Sequence, residues 1–377
     1  MIMSSNADID FVVIGHDSHT YAIIYDSLIE ALHTKIKRDQ SKLKNSRKEN
    51  DQRFCNISSQ EIISEYLDFP EKLYMQNPLR ANKASLTEEL ASAYLLNRFI
   101  GSSVNANKRL NTFKSCFSNN WDVWRKVLLK ENLEPNEEAI KERHIGRVLF
   151  KLDYREILKQ TEFRSGQPRK SKAVVRRLLD QLCEQSRETN KDNPREQLFT
   201  YGPTKVFTTL LYSVLEGCEL IERKGGAVAY LQEIDRVVHD KTKEDSEKVK
   251  ELADEIQKIS GFADALSRDF FKDMGYGIFS KPDVHVMDLI RRLNLHLFYK
   301  WGNNDEERAS QLLSEIAQSV PDTNTTANQV DKIMWLLKSG NYHLHNLSKK
   351  FRLSDKECES ICDDILEDLR RNRGWRE

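Results

Sequence analysis

The chain has 377 residues, enough for one enlarged domain or for two domains of ordinary size. Hydrophobic residues make up 39% and charged residues 31%, with only 14 Gly and 8 Pro, which favours a helix-rich globular protein over a sandwich or barrel. No apolar run approaches membrane-spanning length. Because the N-terminus carries acids and histidines where a signal peptide needs basic and then continuous apolar residues, we expect a cytoplasmic protein without membrane contact.

The charges balance overall but are unevenly distributed. Lys and Arg number 59, as do Asp and Glu, which at first disfavours a nucleic-acid partner. Residues 101–180, however, hold 18 Lys and Arg against 10 Asp and Glu. If these cations share one face, they predict a surface that neutralises phosphates, although an ordinary solvated helix has a similar composition.

The first 85 residues are predicted to be an N-terminal extension. Residues 10–25 alternate loosely between β-branched or aromatic and polar types, which predicts a short β-hairpin. Residues 35–53 contain few apolar side chains and many cations, which is typical of a mobile basic arm or a solvated helix end.

Helical patterning begins at Leu86. The segment LTEELASAYLLNRFIG places Ala91, Tyr94, Leu95 and Phe99 on one stripe. Strand-like alternation is scarce elsewhere, so the chain is predicted to be all-α, with minor β structure near the N-terminus.

A C-terminal helical segment is expected over residues 326–377. Three short helices are predicted at 331–340, at 345–351 and after a capping Ser354. This outline fits either a helix-turn-helix or a plain helical bundle.

The cysteines leave two interpretations open. Cys358 and Cys362 lie one helical turn apart and follow His343 and His345, a set that could bind zinc. The interpretation that we favour places both thiols on the inner face of a C-terminal helix, with no metal bound.

Residues 247–295 carry the chemistry. Their pattern predicts three helices, with Gly261 in a tight turn between the first two. The small residues of that turn would let backbone amides approach a phosphate closely. The first two helices are defined by apolar residues at helical spacing, namely Val249, Leu252, Ala253, Ile256 and Ile259, then Phe262, Leu266 and Phe270.

Asp283 is predicted to stand at the start of the third helix. Pro282 fixes the preceding backbone and holds Lys281 out of helical conformation. A carboxylate at this position could face a developing positive charge on a sugar or polarise a water for attack at the anomeric carbon. It could also be an N-cap and nothing more.

This window resembles the helix-hairpin-helix DNA glycosylase superfamily. Ile259-Ser260-Gly261-Phe262-Ala263 is similar to the family's Leu-Pro-Gly-x-Gly hairpin. Pro282-Asp283-Val284-His285 is similar to its Val-Asp-x-His aspartate segment, and 20 residues separate Ala263 from Asp283. The resemblance implies a two-lobed helical glycosylase domain over residues 86–325, with inserted segments between Asn107 and Gly261.

The resemblance also implies an activity and its site. It implies a monomeric enzyme that flips a damaged or modified base out of double-stranded DNA and hydrolyses its N-glycosidic bond. Asp283 would be catalytic and His285 would support it. The implied DNA-binding residues are Ser260, Gly261, Phe262, Ala263 and Lys281.

The chain departs from the family pattern at three points. Ala263 replaces the second hairpin glycine, which still leaves a small residue. Ala265 stands where the lyase branch has a Schiff-base lysine, so the resemblance implies base removal without β-elimination. The cysteine quartet of the iron-sulfur branch is missing after Asp283, so no cluster and no other cofactor is expected.

Two further groups of residues are weaker candidates. Residues 98–108 lie where the family pushes a side chain into the space that the base vacates, but no wedge residue can be named from them. Stacking on the flipped base is one interpretation of four aromatic residues, and core packing is the other. These are Trp121, Trp124, Tyr276 and Phe279.

The same residues suggest two rival functions. The first is a non-enzymatic DNA-binding protein in which Asp283 only caps a helix. The second, a metal-dependent nuclease built on Pro282-Asp283, lacks the acidic-x-Lys triplet that should follow within the next 40 residues.

Overall fold

The computed structural model describes residues 17–67, 86–105, 153–189, 191–192, 204–298, 305–321 and 324–372. All regular elements within these ranges are helices, which confirms the all-α prediction. None of the helices in this described part of the chain is both long and apolar enough to cross a bilayer.

The chain divides into two compact units, Met1–Pro70 with Tyr276–Glu377, and Glu71–Gly275. This division does not follow the predicted boundaries at 86 and 325, because residues 276–325 group with the N-terminal helices. The first unit contains α1 Ser18–Leu43, α2 Glu49–Asn56, α3 Ser59–Leu67, α11 Val284–Arg292, a 3-10 turn Leu295–Phe298, α12 Asp305–Gln318, α13 Ala327–Ser339 and α14 Asp355–Asn372. The second contains α4 Glu88–Asn105, α5 Tyr154–Thr161, α6 Pro168–Thr189, α7 Thr204–Arg223, α8 Ala227–Val238, α9 Asp245–Ile256 and α10 Asp264–Lys272.

Helices α1 and α13 form the centre of the first unit. Helix α1 packs against α2, α3, α12, α13 and α14, and α13 also contacts α3, α11 and α12. The inner stripe of α1 consists of Ile24, Leu28, Leu32 and Ile36, which recur every four residues and are fully buried. Each such side chain contributes about 1.5–3 kcal/mol on burial, so α1 is part of the core and not an appended extension.

One prediction for the N-terminal region is wrong where the structure describes it, and the other holds only in its second alternative. Residues 18–25 begin α1 instead of forming a β-hairpin, and residues 10–16 lie outside the described part. Asp17 caps the helix by accepting from the Thr20 amide at 2.8 Å, and the buried stripe then favours helical over strand geometry. Residues 35–53 form the end of α1 and the start of α2, which fits the alternative of a solvated helix end and not that of a mobile arm, although Lys35, Asp39 and Asp51 are buried.

Two charged residues of this segment, Lys35 and Asp39, form an ion pair in the core of the first unit. Lys35 and Asp39 are 2% and 0% exposed and pair with each other inside the first unit. Lys35 Nζ also donates to the Phe351 carbonyl at 2.9 Å, and the Tyr342 hydroxyl donates to Asp39 Oδ2 at 3.0 Å. Polar residues therefore pack in the core here because each finds a partner far away in the sequence.

The C-terminal segment contains two of the three predicted helices. Helices α13 and α14 are present, and Ser354 caps α14 as predicted: its hydroxyl oxygen accepts from the Glu357 amide at 3.3 Å, and its own amide donates to Glu357 Oε2 at 2.9 Å. Residues 345–351 form turns instead of a helix. Their backbone groups bond to other elements, as when the Ser348 amide donates to Asp51 Oδ1 at 2.9 Å, so the helix-turn-helix outline is wrong.

In the second unit, α7 packs against α4, α5 and α6, while α4 also contacts α8 and α10. The Phe99 ring of α4 lies 5.8 Å from the Phe262 ring and 4.7 Å from the Phe270 ring, measured between centroids. These aromatic contacts attach the predicted hairpin region to the core of this unit.

Candidate functional site

Asp283 is the N-cap of α11, as the sequence predicts for a carboxylate at a helix start. Its backbone is extended, and its Oδ1 accepts from the amides of His285 at 2.8 Å and Val286 at 3.2 Å. The residue is half-buried. One carboxylate oxygen therefore has both of its lone pairs occupied by the first turn of the helix.

The second oxygen of Asp283 has a partner that a simple cap does not require. Trp335 of α13 donates its indole N–H to Asp283 Oδ2 at 3.1 Å. The Trp335 ring in turn lies edge-on to the His343 ring, with centroids 5.7 Å apart. Since a carboxylate has about four lone-pair sites, these three bonds leave one on Oδ2 for a further ligand.

The segment that precedes Asp283 runs along one face of α13. The Gly277 carbonyl accepts from the Asn328 amide at 3.1 Å, and the Lys281 amide donates to Asp331 Oδ2 at 3.1 Å. With Trp335, the α13 partners recur at spacings of three and four residues, which lie on one face of a helix. Asp283 is therefore positioned from α13 as well as from its own helix.

No protein-family model, curated protein or solved structure matches this chain. The resemblance to helix-hairpin-helix glycosylases therefore rests on residues 259–285 alone.

The predicted helix–turn–helix hairpin is present within the second unit. Helices α9 and α10 flank a turn in which Gly261 has a φ of 88°. A Cβ at this position would lie 2.5 Å from Thr209 Cγ2 and 3.2 Å from Ser213 Oγ, so glycine is required both by its backbone conformation and by its contact with α7. Gly261 and Ala263 face solvent, whereas Phe262 is buried at 3% exposure.

One of the amides predicted to bind phosphate is already bonded to a carboxylate. The Ser260 amide donates to Glu216 Oε2 at 2.6 Å, and the Ser260 hydroxyl donates to Glu216 Oε1 at 3.1 Å. Burial raises the pKa of Glu216 above its ordinary value, although the bonds from Ser260 oppose this. Ser260 is therefore a poor phosphate ligand, because its donors are occupied and an acidic group lies beside them.

The remaining predicted residues fall in different places. His285 is half-buried, and its amide bonds to Asp283. Tyr276 and Phe279 are 0% exposed, so they pack in the interior and are closed to stacking on a base.

Arg98 is 3% exposed and pairs with Asp273 at 3.6 Å, which rules out a wedge role for it. Residues 106–108, Trp121 and Trp124 lie outside the described residues.

Cys358 and Cys362 lie on the buried face of α14, as the favoured interpretation predicts. The hydrogen bond from Cys362 and the positive charges of Lys338 and Arg292 together lower the pKa of Cys358 to about 6, against the effect of burial. His343 and His345 pack against the Tyr66 ring at 5.2 and 6.0 Å between centroids. In the described part of the chain, no group of three or more metal-binding side chains comes together.

Sequence reasoning missed Trp335. It lies 52 residues after Asp283, and no spacing rule links the two. The available signal was weak, namely a single aromatic residue in the otherwise aliphatic run Ile333 to Leu337.

Proposed function

We propose that the protein is a monofunctional DNA glycosylase that hydrolyses the bond between a modified base and its sugar. The observation that carries this proposal is the double anchoring of Asp283, with Oδ1 held by the first turn of α11 and Oδ2 oriented by Trp335. A cap needs only the first of these. The second fixes the direction of the remaining lone pair, which is the preorganisation that electrostatic catalysis requires.

The chemistry follows from the charge on this carboxylate. As a glycosidic bond lengthens, the sugar becomes oxocarbenium-like, and a fixed negative charge beside it lowers the barrier. The same oxygen could align the water that completes the hydrolysis. A base stacked in a duplex is out of reach, so such an enzyme must rotate the nucleotide out of the helix, at a cost of a few kcal/mol.

The hairpin supplies the second line of support. The turn at Gly261 is exposed, and the amides at the start of α10 point along a helix N-terminus, the arrangement that binds phosphate without regard to sequence. Because Ser260 is engaged with Glu216, we assign phosphate contact to the Gly261, Ala263 and Asp264 amides. Ala265 at the second position of α10 carries no amine, so base removal should stop at the abasic site.

One observation favours the rival function. The Oδ1 contacts of Asp283 are those of an ordinary N-cap, which is all that a non-enzymatic DNA-binding protein would need. Release of free base separates the two functions, since only the enzyme produces it.

The test is incubation of the protein with genomic DNAs that differ in base modification, including alkylated, oxidised and mismatched DNA and viral DNA with bulky bases. Mass spectrometry then identifies any released base, and an aldehyde-reactive probe counts abasic sites. The proposal requires one class of DNA to yield both free base and intact abasic sites. DNA binding without release from any class would favour the rival.

A further inference from the structure

The first half of α6 and the turn before it form an exposed surface of one charge. Residues 163–179 contain six Lys and Arg and no Asp or Glu, and all six cationic side chains are exposed. We call this surface the α6 cationic face. Its members are Arg164, Arg169, Lys170, Lys172, Arg176 and Arg177.

The five helical members point away from the protein. At about 100° per residue, they fall within roughly 160° of the helix circumference. The opposite side of α6 is buried, with Val175 and Leu178 at 2% and Leu182 at 0% exposure. The cations therefore share one solvent-facing surface instead of surrounding the helix.

Acidic side chains border this face but do not pair with it: Glu162 precedes it, and the exposed Asp180 follows Arg176 by one helical turn. Among the described residues, none of the six cations forms an ion pair, in contrast to Arg155 of α5, which pairs with Asp153 at 2.6 Å. Arg177 and Arg164 instead donate to the backbone carbonyls of Thr161 and Phe163, at 3.1 and 2.9 Å. Their positive charges remain available to a partner.

The arrangement opposes the stability of the isolated helix. The first turn of α6 carries no acidic residue, although anions stabilise a helix N-terminus and cations destabilise it. Lys172 and Arg176 are like charges four residues apart, a spacing that costs a few tenths of a kcal/mol. Local rules are broken in this way where a surface serves binding.

The turn before α6 is held in place by a hydrogen bond to α7. Glu219 of α7, 7% exposed, accepts from the Ser165 amide at 3.0 Å, and the buried Ser171 hydroxyl donates to the Gln167 carbonyl at 3.1 Å. The first bond fixes the turn against α7, and the second lies within the start of α6. Because the backbone under these cations is already fixed, binding costs little backbone conformational entropy.

We propose that the α6 cationic face binds the phosphodiester backbone of duplex DNA. Arg169, Lys172 and Arg176 extend over eight residues, or about 10 Å of helix, a length of duplex that carries roughly six negative charges. This inference rests on the proposed function for its choice of DNA among polyanions. The α6 cationic face would be a second contact to DNA, in addition to the backbone amides of the hairpin.

The test measures the affinity of the full chain for a fluorescein-labelled 30-bp duplex as a function of salt. The variant is R169Q/K172Q/R176Q, and the matched control R236Q/K241Q/K250Q removes three exposed charges from the same unit. We expect the variant to bind at least tenfold more weakly at about 0.1 M salt and to reduce the slope of log K against log salt by about 2 to 3. The control should change neither quantity comparably, and neither variant should melt below the wild-type temperature, since the α6 substitutions relieve like-charge repulsion.

The possible outcomes separate this inference from the proposed function. A wild-type slope and affinity in the α6 variant would overturn the inference, whatever the base-release assay shows. Loss of binding to vesicles with 30% phosphatidylserine, without loss of DNA binding, would also overturn it in favour of a membrane surface. Weaker DNA binding by the variant in a protein that releases no base would uphold the α6 contact and reject the glycosylase.

Discussion

The indole nitrogen of Trp335 lies 3.1 Å from Oδ2 of Asp283 and donates a hydrogen bond to it. This contact joins α13 to the start of α11 and fixes the oxygen that the helix cap leaves unbound. A carboxylate anchored at both oxygens loses the rotational freedom that an exposed aspartate has, so its charge has a defined direction.

Replacement of Trp335 by Phe should separate this orienting role from folding. W335F keeps an aromatic ring on the side of His343 and removes the donor to Asp283 together with one ring of the indole. A typical hydrogen bond of about 1–1.5 kcal/mol predicts roughly tenfold slower base release, with KM nearly unchanged. Single-turnover kinetics would measure it.

The control for this variant is Y21F, which removes another aromatic donor to a carboxylate in the same unit, 3.1 Å from Glu315 Oε2. Y21F should leave the rate of base release unchanged. Equal rates for W335F and wild type would show that the indole does not orient the carboxylate.

Replacement of Gly261 by Ala should destabilise the hairpin. The positive φ and the close approach of Thr209 Cγ2 together predict a loss of about 2–3 kcal/mol in the free energy of unfolding. Gly166, where a Cβ would meet nothing within 4 Å, is the matched control, and G166A should change stability by less than about 0.5 kcal/mol. Urea unfolding followed by circular dichroism compares them, and equal midpoints would contradict the packing of the turn on α7.

Replacement of Asp39 by Asn should be among the most destabilising changes in the first unit. It leaves the buried Lys35 ammonium without its counter-charge, which costs about 3–5 kcal/mol. The control K42Q alters a half-exposed cation 3.8 Å from Asp39 Oδ1 and should cost less than about 0.5 kcal/mol. The double variant K35M/D39N should recover part of the loss, because no charge then remains buried. If D39N unfolded at the wild-type urea concentration, the ion pair would not be part of the core.

Asp51 should contribute to acid sensitivity. Burial alone would raise the pKa of Asp51, but the hydrogen bonds from Ser348 and Ser46 outweigh it and hold that pKa below its ordinary value. Since the folded-state pKa is the lower one, the stabilisation is complete above the unfolded-state value of about 3.9 and is lost as pH falls through the folded-state value. D51N should therefore flatten the decline in stability between about pH 5 and pH 2.

The control for this pH dependence is D26N, which replaces an exposed aspartate of α1. Its stability should follow the wild-type profile. If the free energy of unfolding of D51N fell with pH as steeply as that of wild type, Asp51 would not be a cause of acid unfolding.

Local patterning predicted the helices of residues 247–295 well, because their apolar residues recur at helical spacing and Gly261 marks the turn. The same reasoning allowed a helix end over residues 35–53 but did not predict the burial of Lys35 and Asp39, whose partners include Tyr342 and Phe351. A sequence window cannot show that a charge will be buried beside a partner some 300 residues away. The segment therefore looked solvated.

For the candidate site, too, the sequence predicted the local position of Asp283 but not the contacts from other helices. Asp283 as a residue at a helix start followed from Pro282 and the helical run behind it, and the structure confirms that position. The role of Trp335 did not follow, since it depends on how α13 packs against α11. The occupation of the Ser260 amide by Glu216 was also invisible, because it depends on the packing of α7 under the turn.

The catalytic assignment of Asp283 is tested most directly by D283N beside D17N. Asparagine caps a helix about as well as aspartate, so D17N should keep its melting temperature, whereas D283N should lose about 1 kcal/mol because its amide nitrogen cannot accept from Trp335. Asp17 is an N-cap in the same unit and controls for the chemical change itself. We expect D283N to reduce base release by at least about 10²–10³-fold while its DNA affinity stays within about threefold, and D17N to match wild type in both. Base release by D283N at the wild-type rate would contradict the assignment.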